Sequence, residues 1–194
     1  MSKTIILDNG HGNNTPGKRS PKWEDGTQLF EYEFNRDIVK RIAAMLTKDK
    51  VSTIILVPES NDVSLQERCN RANRIYKNSG NNAILISVHG NAGGGTGWEC
   101  YTTVGKTKSD SIATILCEEA AAEFAKDGWK IRSDMADGDP DKESQFYILK
   151  HTNCPAVLTE NFFFDNRKDC RFMMSEEGRN RIARMHYNAI KRIL

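Results

Sequence analysis

The stretch AILISVHGNA, residues 83–92, decides the fold of this chain. Its first six residues are apolar except for Ser87, and a histidine and a glycine follow them directly. A short run of this kind, apolar at nearly every position, is typical of a strand in a parallel sheet that is covered on both faces. Four further stretches of similar character predict strands at residues 4–8, 52–58, 98–103 and 155–160.

Amphipathic helices are predicted between these strands. Apolar side chains recur at helical spacing within residues 30–45, 65–76, 112–124 and 182–193. Alternation of strands and helices predicts an α/β fold, with a twisted, mostly parallel sheet flanked by helices on both faces. We expect residues 1–194 to form a single domain, in which the weakly patterned residues 127–145 are a mobile surface loop.

The composition is that of an ordinary globular protein. The net charge of +2 gives no argument for a nucleic-acid partner, and no apolar run is long enough for insertion into a membrane. The first ten residues, MSKTIILDNG, lack the succession of basic, apolar and small residues that marks a secretory signal peptide. We therefore expect a protein made in the cytoplasm.

The cysteines favour a reducing environment. Five cysteines, an odd number, occur without a CxxC pair, at positions 69, 100, 117, 154 and 170. This pattern suits free structural thiols better than a disulfide framework or a cysteine zinc site.

Four polar side chains are candidates for a metal site. His11 follows the first predicted strand, His89 ends the third, and Glu160 ends the last. Sites in α/β sheets gather at the carboxyl ends of the strands, where Glu31 at the start of the first helix would join them. Two imidazoles and one carboxylate are a ligand set of catalytic zinc, and a second carboxylate can serve as the general base.

Each candidate also has an ordinary structural interpretation. Glu31 could simply be an acid that the helix dipole favours. His11 differs from a common loop histidine because glycines flank it on both sides, and Glu160 lies in apolar surroundings that raise the pKa of a carboxyl group. The other two histidines, His151 and His186, are expected to be a surface residue or a hydrogen-bonded residue.

Five motifs together resemble the amidase_3 family of N-acetylmuramoyl-L-alanine amidases. They are LDNGHG, the Glu31-x-x-x-Asn35 helix start, LQERCNRANRIY, SVHGNA and PAVLTENFFFDN, and they cover nearly the whole chain. The resemblance implies a six-stranded sheet and a zinc hydrolase that cuts the amide between N-acetylmuramic acid and L-alanine in peptidoglycan. It also implies that His11, Glu31 and His89 bind one Zn²⁺ and that Glu160 is the catalytic base.

The chain departs from the family pattern at two places. Asn13 stands where a further glycine often follows GHG, and ENFFFDN replaces the commoner ending of the last motif. Both departures bear on the fit of the substrate more than on metal binding.

Further residues are candidates for supporting roles around the metal. Asp8, Asn35 and Asn91 could each accept a hydrogen bond from the second ring nitrogen of a metal-bound histidine, and the residues alone do not choose among them. Trp23 and Trp98 could stack on a sugar or peptide, although a role in the core or in anchoring a loop is the commoner one.

The expected partner is peptidoglycan or a muropeptide, with no evident need for a second protein. Two alternatives stay open: a zinc amidohydrolase or peptidase acting on another peptidoglycan link, and a wall-binding relative without catalysis. A catalytic domain without a signal peptide is typical of a phage or prophage lysin that reaches the wall after release. A domain cut from a longer secreted parent would have the same sequence.

Overall fold

A six-stranded sheet forms the centre of the computed structural model, which describes residues 3–194. The strands lie in the order β2-β1-β3-β6-β4-β5. They are β1 (Thr4–Asn9), β2 (Thr53–Ile55), β3 (Ala83–Asn91), β4 (Trp98–Thr102), β5 (Lys142–Glu143) and β6 (Ala156–Phe163). The four strands from β2 to β6 are parallel, and β4 runs antiparallel to β6 with β5 parallel to β4. The predicted α/β fold with a mostly parallel sheet is confirmed.

Helices cover both faces of this sheet, as predicted. The helices are α1 (Glu31–Lys48), α2 (Leu65–Asn78), α3 (Lys108–Phe124), α4 (Tyr147–Lys150), α5 (Arg167–Met174) and α6 (Glu176–Ile193). One apolar cluster joins a sheet face to α1, α3, α5 and α6, and a second joins the other face to α2 and α4. The alternation along β1 explains the division, because Ile5 and Leu7 belong to the first cluster and Ile6 to the second.

Polar residues at the helix starts explain where several helices begin. Ser64 accepts a hydrogen bond from the backbone of α2, Ser175 does the same for α6, and Thr107 forms a capping box with Asp110 at α3. Helix α1 begins without a side-chain cap, and its first residue is Glu31.

The expectation that residues 127–145 form a mobile surface loop is wrong in part, because some of these residues pair with the sheet. Lys142–Glu143 forms the edge strand β5, and Ile131 pairs with Trp98 of β4. A two-residue charged strand has no sequence pattern of its own, because its partner strand alone determines its conformation. The short helices α4 and α5 were also absent from the prediction.

All five cysteines lie within the described residues, where they are buried and free. Among residues 3–194, no helix is both long and apolar enough to cross a membrane.

A bulge in β6 lies next to the predicted site. His89 pairs with Glu160, but Asn91 pairs with Phe163, so β6 contains one residue more than β3 over this interval. Phe162 has a φ of 69°, a conformation that L residues rarely adopt. Bulges of this kind redirect side chains, and they are frequent beside active sites.

Candidate metal centre and active site

The backbone around His11 is shaped to bring two strand ends together. His11 itself has a φ of 63°, in the left-handed region. A Cβ atom on Gly10 would lie 2.0 Å from Cε1 of His89, and one on Gly12 would lie 1.9 Å from the backbone nitrogen of Asp62. Both glycines are therefore required for close packing, and Gly10 lets the His89 ring approach the end of β1.

Two histidines converge on one carboxylate oxygen. Nε2 of His11 lies 3.3 Å from Oε1 of Glu31, and Nδ1 of His89 lies 3.1 Å from the same oxygen. The two imidazole rings are perpendicular, with their centroids 5.0 Å apart. One potential ligand atom from each residue lies within 4.8 Å of the other two. The structure thus brings together the three residues that were predicted from the sequence as metal ligands.

Electrostatic interactions keep Glu31 ionised although it is buried. Burial alone would raise the pKa of Glu31, but hydrogen bonds from His11 and His89 outweigh burial and bring its pKa well below the ordinary value. Burial likewise disfavours a charged His89, but the hydrogen bond and the charge of Glu31 raise the pKa of His89 above its usual value. A negative carboxylate between two imidazoles attracts a cation electrostatically.

The state of the second oxygen of Glu31 agrees with a role of this residue as a metal ligand. Oε2 of Glu31 is buried, and no donor among the described residues forms a hydrogen bond with it. We call this atom the open oxygen of Glu31. Buried carboxylate oxygens almost always have a partner, and two imidazole nitrogens with one carboxylate match a zinc ligand set.

Glu160 lies beside this group without belonging to it. Its Oε2 is buried and accepts no hydrogen bond within residues 3–194. Burial raises the pKa of Glu160 to about 8; the charge of His89 opposes this rise and that of Glu31 adds to it. A carboxyl group with a pKa near neutrality can exchange a proton at physiological pH.

A cleft of about 430 Å³ gives access to these residues from solvent. His11, His89 and Glu160 lie on its wall. Of the two Lys or Arg side chains on the wall, Arg68 is buried against Asp8 and Asp62, whereas Lys18 is 45% exposed. The apolar part of the wall comprises Val63, Leu65, Phe146, Tyr147, Ile148 and Leu158. The cleft therefore combines a polar floor with an apolar side.

Comparison with known families agrees with this geometry. Residues 5–192 match Amidase_3, the family described as N-acetylmuramoyl-L-alanine amidase. The chain belongs to this family. The resemblance expected from the five sequence motifs is thereby confirmed.

Two curated relatives are each 31% identical to this chain. One is a sporulation-specific N-acetylmuramoyl-L-alanine amidase of Bacillus subtilis (strain 168), aligned over 192 residues, 96% of this chain and 66% of the relative. The other is an endolysin of Bacillus phage SPP1, aligned over 200 residues, 100% of this chain and 67% of the relative. The chain thus spans about two thirds of the length of these relatives.

A solved structure has the same fold. The crystal structure of N-acetylmuramoyl-L-alanine amidase from Clostridium difficile 630 superposes with a TM-score of 0.80 at 23% sequence identity. The superposition covers 98% of this chain and 96% of that one. The architecture is thus that of an amidase_3 catalytic domain.

Of the three polar candidates for supporting roles, Asn35 contacts Glu31, and Asn91 and Asp8 bond other residues. Nδ2 of Asn35 donates to the carbonyl oxygen of Gly10 at 3.0 Å and lies 3.4 Å from Oε1 of Glu31. Asn91 instead donates to Glu99 at 2.6 Å, and Asp8 accepts from Arg68 and Ser87. In this structure the side chains of Asn91 and Asp8 therefore bond other residues rather than His11 or His89, and a supporting role for either of them stays a prediction.

The two tryptophans do not stack in the cleft. Trp98 is fully buried, and its indole N–H donates to Oδ1 of Asn161 at 2.9 Å. Trp23 donates to Sγ of Cys170 at 3.2 Å and lies outside the residues that line the cleft. Trp98 is therefore a core residue and Trp23 anchors its loop to α5, which are the alternatives considered from the sequence.

The other two histidines are ordinary, as expected. His186 is buried, with Nε2 2.9 Å from the Thr159 hydroxyl and Nδ1 2.8 Å from the Ile182 carbonyl oxygen. Burial lowers the pKa of His186 to about 4, so its ring is neutral at physiological pH. His151 is exposed and stacks on Tyr147.

Two residues important to the site were missed from the sequence. Arg68 donates to the carbonyl oxygens of Asn9 and His11 and so holds the end of β1 in place. Glu99 pairs in register with Glu160 across β4 and β6. Each could have been noticed as a charged residue at a position where the pattern predicts burial. Arg68 lies on the buried face of α2, and Glu99 lies within the buried strand WECYT.

Proposed function

We propose that this chain is a zinc-dependent N-acetylmuramoyl-L-alanine amidase, which hydrolyses the amide between N-acetylmuramic acid and L-alanine in peptidoglycan. The observation that carries the proposal is the convergence of His11 and His89 on Glu31, whose open oxygen is buried beside Glu160. Membership of the amidase_3 family and the relatives' names support the same reaction.

His11, Glu31 and His89 are the residues that would hold the metal. A bound Zn²⁺ supplies Lewis acidity, which lowers the pKa of a water molecule and polarises a carbonyl group. Asn35 restricts the orientation of Glu31, because the same amide nitrogen also donates to Gly10. The ligands are thus positioned before the metal arrives, and little reorganisation is needed.

Glu160 would transfer the proton. Its carboxylate accepts a proton from the water whose oxygen attacks the lactyl carbonyl carbon of the muramoyl group. As the carbon–nitrogen bond breaks, Glu160 returns this proton to the nitrogen that becomes the amino group of L-alanine. The same carboxyl group acts first as base and then as acid, and it ends in its starting state.

The cleft supports a substrate with both polar and apolar parts. Lys18 places a half-exposed cation 4.0 Å from the open oxygen of Glu31, on the same wall as Glu160. Leu65 and Phe146, which also line the cleft, are 51% and 38% exposed and offer apolar surface to a ligand. A peptide-bearing muramic acid, with amide, carboxylate and methyl groups, matches this mixture.

The site of action would be the bacterial cell wall. One relative is a phage endolysin, which supports the action of a lysin on peptidoglycan. We propose no obligatory protein partner for the reaction, because all four reacting or metal-binding groups come from this chain.

Digestion of purified peptidoglycan tests the reaction. Zinc-loaded protein should release stem peptides with a new L-alanine amino terminus, identified by mass spectrometry of the products. A different new amino terminus would indicate a zinc peptidase for another link, and binding to sacculi without products would indicate a wall-binding relative.

The metal assignment needs its own measurement. His89→Ala should lose bound zinc, measured by elemental analysis, and His151→Ala should keep it because His151 is exposed outside the metal group. Full hydrolysis by protein stripped of all metal would contradict the proposal.

A further inference from the structure

A second carboxylate site lies in the segment between β4 and α4. Asp141 is only 2% exposed, and its Oδ2 accepts a hydrogen bond of 2.7 Å from the hydroxyl of Thr102 on β4. Its Oδ1 is also buried, and it accepts no hydrogen bond from the described part of the chain. We call this atom the open oxygen of Asp141. A buried acid with half of its acceptor capacity unused requires a physical explanation.

The neighbours of Asp141 make its burial more costly. The Asp139 carboxyl lies within hydrogen-bonding reach of the Asp141 carboxyl, and Asp110 adds a further negative charge nearby. Burial and Asp139 together raise the pKa of Asp141 to about 7, and the hydroxyl of Thr102 only partly opposes them. Carboxylates that crowd together in this way either share a proton or bind a cation.

The adjacent lysine does not neutralise this group. The ammonium of Lys142 lies 2.5 Å from Oε2 of Glu99 on β4. Glu99 also accepts from Arg132 at 2.7 Å, so the basic side chains of this region are directed to Glu99. Within residues 3–194, none of the main interactions that set the charge state of Asp141 comes from a basic side chain.

We propose that Asp139 and Asp141 bind a hard divalent cation of the Ca²⁺ class. The open oxygen of Asp141 and the carboxylate of Asp139 supply oxygen ligands, which calcium prefers. The cation would remove the repulsion between the two acids and satisfy the buried oxygen. This site has oxygen donors alone and differs in chemistry from the His11, Glu31 and His89 group, which suits zinc.

The location of this site gives the cation a structural role. Asp141 immediately precedes β5, whose residues pair with Tyr101 and Thr102 of β4. Phe146, which lines the catalytic cleft, follows four residues after Lys142. A cation at Asp139 and Asp141 would fix β5 to the sheet edge and thereby hold this side of the cleft.

Thermal unfolding of the zinc-loaded protein tests the proposal. In calcium-free buffer, added CaCl₂ should raise the melting temperature by roughly 5–10 °C at a concentration about 100 times its dissociation constant. MgCl₂ should produce a smaller rise, because Mg²⁺ demands a stricter geometry and dehydrates reluctantly. Terbium luminescence, with Tb³⁺ in place of Ca²⁺, should report binding directly without reference to stability.

Matched variants localise the effect. Asp141→Asn keeps the shape of the side chain and removes its charge, so it should fold and lose both the calcium-induced shift and the terbium signal. Asp25→Asn, in an exposed loop and bonded to Thr27, should retain both.

One set of results would indicate that Asp139 and Asp141 share a proton and bind no cation. If calcium left the melting temperature unchanged and Tb³⁺ did not bind, the proposal would be overturned. A shared proton would instead be indicated by a melting temperature that rises as the pH falls from 7 towards 5 in the wild type but not in Asp141→Asn.

Discussion

Two glutamates face each other across the β4–β6 pairing, and their surroundings are opposite. Glu99 and Glu160 are in register, so their side chains leave the same face of the sheet. Glu99 is 3% exposed and accepts hydrogen bonds from four side chains, those of Asn91, Tyr101, Arg132 and Lys142. Glu160 has a buried open oxygen instead.

The difference separates a structural carboxylate, Glu99, from the carboxylate that we propose transfers a proton, Glu160. Burial raises the pKa of both, but hydrogen bonds from Lys142, Arg132 and Tyr101 bring the pKa of Glu99 below its ordinary value. Glu160 lacks such donors within the described residues, and its pKa rises to about 8. A carboxylate whose acceptors are all used cannot easily take a proton, whereas one left open can. The sheet thus places a fixed charge beside a transferable proton.

Removing the carboxylate of Glu160 should have the largest effect on activity. Glu160→Gln keeps the volume of the side chain but cannot accept a proton, so kcat on peptidoglycan should fall by about 100- to 10,000-fold. Zinc content and melting temperature should stay close to those of the wild type. Dye release from labelled peptidoglycan, with parallel zinc analysis, measures both properties.

A matched control makes this result specific. Glu177 on α6 has a side chain that is 79% exposed, so Glu177→Gln should leave hydrolysis unchanged. Parental activity in a zinc-loaded Glu160→Gln variant would show that another group transfers the proton.

Removing the carboxylate of Glu99, which accepts four side-chain hydrogen bonds, should chiefly lower the stability of the protein. Glu99→Gln leaves Arg132 and Lys142 without their anion, and both cations are partly buried. We expect the free energy of unfolding to fall by about 1–3 kcal/mol, measured by urea denaturation. Zinc content should not change. If this variant were as stable as the wild type and bound zinc less well, Glu99 would belong to the metal site.

The response to acid should distinguish the two glutamates further. Because the folded state lowers the pKa of Glu99 from 4.5, its stabilising contribution is present above pH 4.5 and is lost as the pH falls below that value. The stability of Glu99→Gln should therefore decline less steeply below pH 4.5 than that of the wild type. Urea denaturation at several pH values gives the slopes. Equal slopes in the two proteins would contradict the charge pairing of Glu99.

The smallest effect is expected from removing one of the hydrogen-bond donors to Glu99, the hydroxyl of Tyr101. The hydroxyl of Tyr101 donates to Oε1 of Glu99 at 2.9 Å, and its ring packs against Phe146 with centroids 5.1 Å apart. Tyr101→Phe keeps the ring contact and removes the hydrogen bond, so the cost should be about 0.5–1.5 kcal/mol with activity retained. A large loss of kcat in this variant would assign the hydroxyl to catalysis.

The proximity of His11, Glu31 and His89 could be predicted because the ends of the strands determine where these residues lie. His11 follows β1, and His89 and Glu160 lie two and three residues before the ends of β3 and β6; parallel strands bring such positions to one edge of the sheet. Glu31 begins α1, which contacts β1 and β3. Local pattern and topology together were sufficient for these residues.

The Glu99 group could not be predicted in the same way. Its cations Arg132 and Lys142 come from a segment without periodicity, and a salt bridge between distant segments leaves no local pattern. The strand β5 has two charged residues, and α4 has only four residues, so neither offers enough length for a period to appear. The buried position of Trp98 depends on the bulged β6, where Asn161 accepts its N–H.

The position of β6 also affects how this enzyme is made. During translation, β1, α1, β3 and β4 leave the ribosome first, and β6, which inserts between β3 and β4, follows more than 50 residues later. Until then His11, Glu31 and His89 lack Glu160, and β4 lacks its antiparallel neighbour. A nascent chain therefore carries the three proposed metal ligands before it carries the proposed proton-transfer residue, and the whole site is assembled only when β6 completes the centre of the sheet.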